Sequence, residues 1–78
     1  MTCYYPSDKS RLYRDALKGI GYDSRRATAS KVREAFMDQV DAGVFRDLDA
    51  EEVEYREEEG TLTVDKMAKA LYKMGHDC

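Results

Sequence analysis

Apolar residues recur at helical spacing in three stretches of this chain and alternate in a fourth. Leu12, Tyr13, Ala16, Leu17 and Ile20 fall on one face of a helix. Ahead of them, Ser7 or Asp8 can cap it, because a side-chain oxygen there accepts from the unpaired N–H groups of the first turn. Gly19 and Gly21 supply the left-handed residue that ends such a helix. A turn over Gly21-Tyr22-Asp23 leads to a second helix capped by Ser24 or Thr28. Its apolar stripe is Ala29, Val32, Ala35, Phe36 and Val40, and Asp41-Ala42-Gly43 stops it. The last helix spans about Asp65 to Met74. Met67, Ala70, Leu71 and Met74 face inward, Asp65 lies at the positive N-terminal end, and Gly75 terminates it.

Between the second and last helices the pattern admits two structures. Asp49 and Glu52 have the spacing of a capping box, which predicts a short helix over 50–59. Val53-Glu54-Tyr55-Arg56 and Thr61-Leu62-Thr63-Val64 alternate strictly, which predicts a β-hairpin over 53–64 with Val53, Tyr55, Leu62 and Val64 inward. The strand character of Thr-Leu-Thr-Val favours the hairpin. The expected fold is mainly α: a single domain over 1–78 with three to four helices, and a hairpin or fourth short helix within 50–64. Its core would be Leu12, Leu17, Ile20, Val32, Phe36, Val40, Leu62, Leu71 and Met74.

Composition narrows the class. Seventy-eight residues make room for one small domain, and at 42% hydrophobic and 37% charged the chain is polar yet able to enclose a core. No apolar run is long enough to span a membrane. The start, Met1 to Pro6, lacks the basic and apolar regions of a secretion signal, and Cys3 and Cys78 are too few for a disulfide framework. The expectation is a cytoplasmic protein with two free thiols, a disulfide between the termini being the alternative. A core this thin makes a homodimer a natural means of gaining burial.

Charge is strongly segregated. Residues 1–33 hold eight Lys/Arg against three Asp/Glu, whereas residues 34–59 hold eleven acids against Arg46 and Arg56. The net charge of -3 conceals this. Such asymmetry bears on partners and association rates. Either the two blocks are ordinary solvated faces that partly pair with each other, or the acidic block docks on a basic surface.

Catalytic chemistry finds little support, and no cofactor is implied. A nucleophile–histidine arrangement needs a held imidazole, and the one histidine, His76, stands two residues from the end. Carboxylate pairs work when burial drives their pKa values apart, which a solvated Glu run does not provide. Cys3, His76, Asp77 and Cys78 lack the short spacing usual for zinc. Glu57-Glu58-Glu59-Gly60-Thr61-Leu62-Thr63 and the following helix resemble the latter part of an EF-hand. Carried over by register, the first and twelfth ligand positions fall on Tyr55 and Lys66, and calcium needs oxygen ligands at both. No metal site follows.

Two resemblances bear on function. Thr28 to Phe36, continuing to Val44-Phe45, resembles the recognition helix and following strand of winged-helix proteins, with the hairpin at 53–64 standing where the wing would be. That resemblance implies a DNA-binding regulator in which Arg25, Arg26, Thr28, Ser30, Lys31 and Arg33 face the groove or phosphates. Against it, Glu54, Glu57, Glu58 and Glu59 on the wing would face phosphates with like charge. The second resemblance is one of kind. A small chain with a dense carboxylate face is similar to the phage-encoded inhibitors of bacterial defence, the anti-CRISPR and anti-restriction proteins. It implies a non-catalytic inhibitor whose acidic face covers a basic surface of a nucleic-acid-handling complex, as a nucleic-acid backbone would. The residues of that face are Asp47, Asp49, Glu51, Glu52, Glu54, Glu57, Glu58 and Glu59, and its partner is a protein with a Lys/Arg-lined surface. The inhibitor is the primary expectation and the regulator its alternative.

Overall fold

Each helix is delimited by side chains that satisfy its first backbone N–H groups. The computed structural model describes residues 4–76 of the chain. Four helices follow one another: α1 (Lys9–Gly19), α2 (Ala29–Asp41), α3 (Ala50–Glu59) and α4 (Val64–His76). Asp8, Thr28 and Asp49 cap the first three, accepting from the N–H of Ser10, Lys31 and Glu52. Thr63 Oγ1 accepts from Lys66 N at 3.3 Å at the start of α4. The fold is all-helical, with no strand among the described residues.

The hairpin expected over 53–64 is therefore replaced by α3, and the reason is local. Asp49 Oδ1 takes the Glu52 N–H at 2.7 Å, and Arg56 pairs with Glu52 one turn back at 2.8 Å. At the far end Gly60 adopts φ +79°, so that its own N–H reaches Glu57 O and the Thr61 N–H reaches Arg56 O. This left-handed exit costs a glycine little. Both ends and one turn-spanning ion pair favour helix, and together they outweigh the strand preference of a few residues. Helical spacing also separates the two side chains that alternation would have placed together. Val53 is fully buried and Tyr55 is exposed.

The core comprises Leu12, Ala16 and Leu17 of α1, Val32, Ala35, Phe36 and Val40 of α2, Val53 of α3, and Met67, Ala68 and Leu71 of α4. Ile20 and Leu62, expected in the core, are half-buried, and Met74 is exposed. Ala29, expected on the inward stripe of α2, is also exposed, because it occupies that helix's first turn. The strand expected after α2 is absent. Val44 is exposed, while Phe45 sits in the loop with its ring 5.0 Å from that of Phe36.

Contacts near both ends show that α1 and α4 lie side by side and run the same way. Near their starts, Tyr13 OH donates to Asp65 at 2.5 Å and Lys9 Nζ lies 3.4 Å from the same carboxylate. Near their ends Gly19 meets Gly75, where a Cβ on Gly75 would come within 2.6 Å of the Gly19 backbone. Gly75 is thus not the terminator of α4 but lies inside it, and the helix continues to His76. The actual inward line, Val64, Met67, Ala68, Leu71, Tyr72 and Gly75, is rotated by one residue from the expected one. The α3 backbone approaches α2 but neither of the other helices among the described residues. The disposition of Cys3, Asp77 and Cys78, and with it any zinc site or terminal disulfide, lies outside the described residues.

Candidate partner-binding surfaces

Charge follows the packing. α1 and α4 together carry seven Lys/Arg against Asp15 and Asp65, whereas α3 alone carries six carboxylates against Arg56. Among the described residues α3 approaches α2 and neither helix of the basic α1/α4 pair.

The eight carboxylates expected to form one face do not all do so. Asp49 is occupied as the α3 cap, and Glu52 pairs with Arg56. Glu57 is held by the Arg33 guanidinium through two parallel bonds of 2.9 and 3.0 Å, both side chains being partly covered. That paired hydrogen bond keeps the Glu57 carboxyl below the usual range and raises Arg33 above its own. The basic and acidic blocks do pair with each other at this point. Asp47 lies in the loop before α3, outside the helix.

What remains is narrower and better ordered. Glu51, Glu54, Glu58 and Glu59 occupy the half of α3 opposite buried Val53, all of them exposed and without an ion pair among the described residues. Glu51, Glu54 and Glu58 stand at i, i+3 and i+7, the spacing that aligns side chains along one helical line. Tyr55 lies in the same half, 56% exposed, within helical reach of Glu51, Glu58 and Glu59. A hydrogen bond to the neighbouring Glu59 carboxylate raises the Tyr55 phenol above its ordinary pKa. The alternation reading turned Tyr55 inward. Reading residues 50–59 as a helix would have put it among the glutamates.

The positions implied by the winged-helix resemblance divide similarly. Arg33 is committed to Glu57, and Thr28 to the α2 cap. Arg25 pairs with Asp23 at 3.2 Å, and its hydrogen bonds there lower the Asp23 carboxyl. Arg26, Ser30 and Lys31 remain exposed. Asp23, Arg25, Arg26 and Lys31 line a depression of about 450 Å³ ahead of α2. The wing itself is missing, since its residues form α3.

His76 is engaged within its own helix. Its imidazole stacks on the Tyr72 ring, with centroids 3.9 Å apart, and its Nδ1 lies 3.0 Å from the Tyr72 carbonyl. Among the described residues no three His, Cys, Asp or Glu side chains come together as a metal site, and no helix is long and apolar enough to cross a membrane.

Compared with known protein families, curated proteins and solved structures, the chain matches none of them.

Proposed function

We propose that the protein is a non-catalytic inhibitor whose outward α3 face covers a basic surface of a nucleic-acid-handling complex. The observation that carries this reading is the row Glu51, Glu54 and Glu58 on a helix fixed at both ends, with Glu59 and exposed Tyr55 beside it. A rigid row of carboxylates meets a Lys/Arg-lined groove without the entropy cost of ordering a loop. It also steers the encounter through long-range attraction. Exposed ion pairs contribute only about 0.2–1 kcal/mol each, so charge gives rate and orientation and Tyr55 gives the anchor. Aromatic side chains are over-represented among the residues that dominate interface energies.

The test is affinity capture with the tagged chain from cells exposed to it, comparing the parent with the Glu51→Lys, Glu54→Lys, Glu58→Lys triple variant. The parent should enrich a nucleic-acid-handling protein, release it as salt rises, and lose it to competing duplex DNA. The triple variant should bind that protein at least tenfold more weakly and should not inhibit its activity. Equal capture by both proteins, or indifference to DNA, refutes the reading. Arg11→Glu serves as the control, since Arg11 lies on α1.

A further inference from the structure

The chemistry at the start of α2 goes beyond the acidic face and uses none of its residues. The depression lined by Asp23, Arg25, Arg26 and Lys31 adjoins a second, smaller one. That cleft, of about 130 Å³, is lined by Leu17, Tyr22, Asp23, Lys31, Glu34 and Ala35. Asp23 and Lys31 line both, so the two lie side by side as a groove between the end of α1 and the start of α2, divided only by these side chains. Its halves differ in kind. In the larger half Arg25 and Asp23 engage each other, which leaves the cations Arg26 and Lys31 unpaired. The smaller half has Leu17 and Ala35 at its floor, both buried in the core, and the half-buried Tyr22 at its wall. Tyr22 is held there, its hydroxyl donating to Asp38 at 3.1 Å and its backbone N–H to Leu17 O at 2.9 Å.

We infer that this groove binds a nucleoside monophosphate unit, its phosphate on Arg26 and Lys31 and its base in the cleft beside Tyr22. An anion alone would gain nothing from the apolar half, and an apolar molecule nothing from the cations. A phosphate ester carrying a flat ring fills both. Guanidinium groups suit phosphate because their planar donors match its oxygens, and an aromatic wall accepts the face of any base. Glu34, which also lines the cleft, supplies an acceptor for the exocyclic amine of a base, which favours adenine, cytosine or guanine over uracil or thymine.

Titration of the isotope-labelled full chain, followed by amide NMR, tests this with three probes: adenosine monophosphate, inorganic phosphate and adenosine. Adenosine monophosphate should give saturable shifts at Arg25, Arg26 and Lys31 and also at Leu17, Tyr22 and Ala35. Phosphate should move the first set only, at least tenfold more weakly, and adenosine more weakly still. Arg26→Glu, and separately Lys31→Glu, should each weaken adenosine monophosphate at least tenfold while leaving the helical circular dichroism unchanged. Both side chains are exposed, so neither change threatens the fold. A short single strand that binds more tightly than the mononucleotide assigns the site to a strand, and equal affinity assigns it to free nucleotide. Either result supports the groove. Shifts that are absent at millimolar nucleotide, or equal for nucleotide and phosphate, overturn it. Unchanged behaviour of the α3 triple variant in this titration keeps the outcome separate from that of the acidic face.

Discussion

Replacing Gly75 by alanine should destabilise the protein, although the change favours helix. Gly75 lies in the last turn of α4, where alanine is worth at most about 1 kcal/mol more than glycine. An ideal Cβ at this position would stand 2.6 Å from the Gly19 carbonyl carbon, 2.7 Å from its Cα and 2.8 Å from its oxygen. All three are backbone atoms, so no side chain can swing away. The ends of α1 and α4 must separate instead, loosening contacts around Leu17 and Leu71. Overpacking of this kind costs about 1–3 kcal/mol, which leaves a net loss of about 1–2 kcal/mol. A domain of this size holds roughly 0.05–0.15 kcal/mol per residue in total, so the loss is a substantial share. Since 1 kcal/mol moves the midpoint of a small domain by about 4–8 °C, the melting temperature followed by circular dichroism should fall by about 5–15 °C. Gly19→Ala is the internal comparison. Its Cβ would meet His76 Cε1 at 3.1 Å and Gly75 Cα at 3.2 Å, a milder crowding that displacement of an exposed imidazole partly relieves. Gly75→Ala should therefore cost more than Gly19→Ala. A Gly75→Ala protein melting at or above the parent temperature would refute the close approach of the two helices.

Other outcomes follow from single side chains. Val53 is the one side chain of α3 in the buried core, so Val53→Ala should cost about 2 kcal/mol by urea denaturation and speed amide exchange in α3 ahead of the other helices. The hydrogen bond to Asp65, followed by burial, pushes the Tyr13 phenol from 10.0 up to about 12. A raised folded pKa contributes stability below the unfolded value and loses it as pH rises through the folded one. Stability should thus fall between pH 10 and about 12, and Tyr13→Phe should flatten that fall. The Tyr13 hydroxyl, with Lys9 adding to it, holds the Asp65 carboxyl low, so its contribution is present above the ordinary carboxylate range and disappears as pH drops below about 4. Acid denaturation of Tyr13→Phe should be correspondingly shallower. Arg33→Gln releases Glu57 onto the acidic surface and should tighten binding to a basic partner several-fold, measured by calorimetry against the captured protein. Weaker binding by this variant would count against the acidic face.

The three amphipathic helices are legible because several apolar positions agree on one face in each, and the caps of α1 and α2 are legible to within two candidates apiece because few residue types can satisfy a first-turn N–H. α3 is not, because it has one buried side chain and hence no stripe to read. Its structure is set at the ends, by Asp49 and Gly60, and those two signals competed with the alternation of Thr61 to Val64. That alternation turned out to lie in the loop and at the first residue of α4, where Thr63 serves as a cap. Gly75 was misread for a different reason. In sequence a glycine near the end of a helical pattern resembles a stop, and its role as a contact between two backbones exists only once α1 is in place. The same difference rotates the inward line of α4, since Met74 is exposed and Gly75 makes the contact with α1.

The charge blocks show most clearly what a linear reading omits. Counting along the chain gives an acidic run and a basic run, each a candidate surface, but folding places Arg33 on Glu57 and Arg25 on Asp23. These pairs remove from either surface the residues that lie where α2 meets α3 or its preceding loop. The unpaired carboxylates of α3 are those on its half opposite Val53, while Glu34, Asp41 and Asp47 stay exposed elsewhere in the acidic run, and the cations left over at the start of α2 are Arg26 and Lys31. The internal pairing therefore narrows each charged patch without cancelling it. Ionisable groups at the seam hold the helices together, and groups beyond it face solvent as two separate fields of opposite sign. At physiological ionic strength such fields are screened over about 8 Å, less than the shortest extent of the molecule, 21 Å. Each surface can then meet its own partner with little interference from the other. A single chain of this size can thus present an acidic helix to a protein while a basic groove elsewhere takes a phosphate.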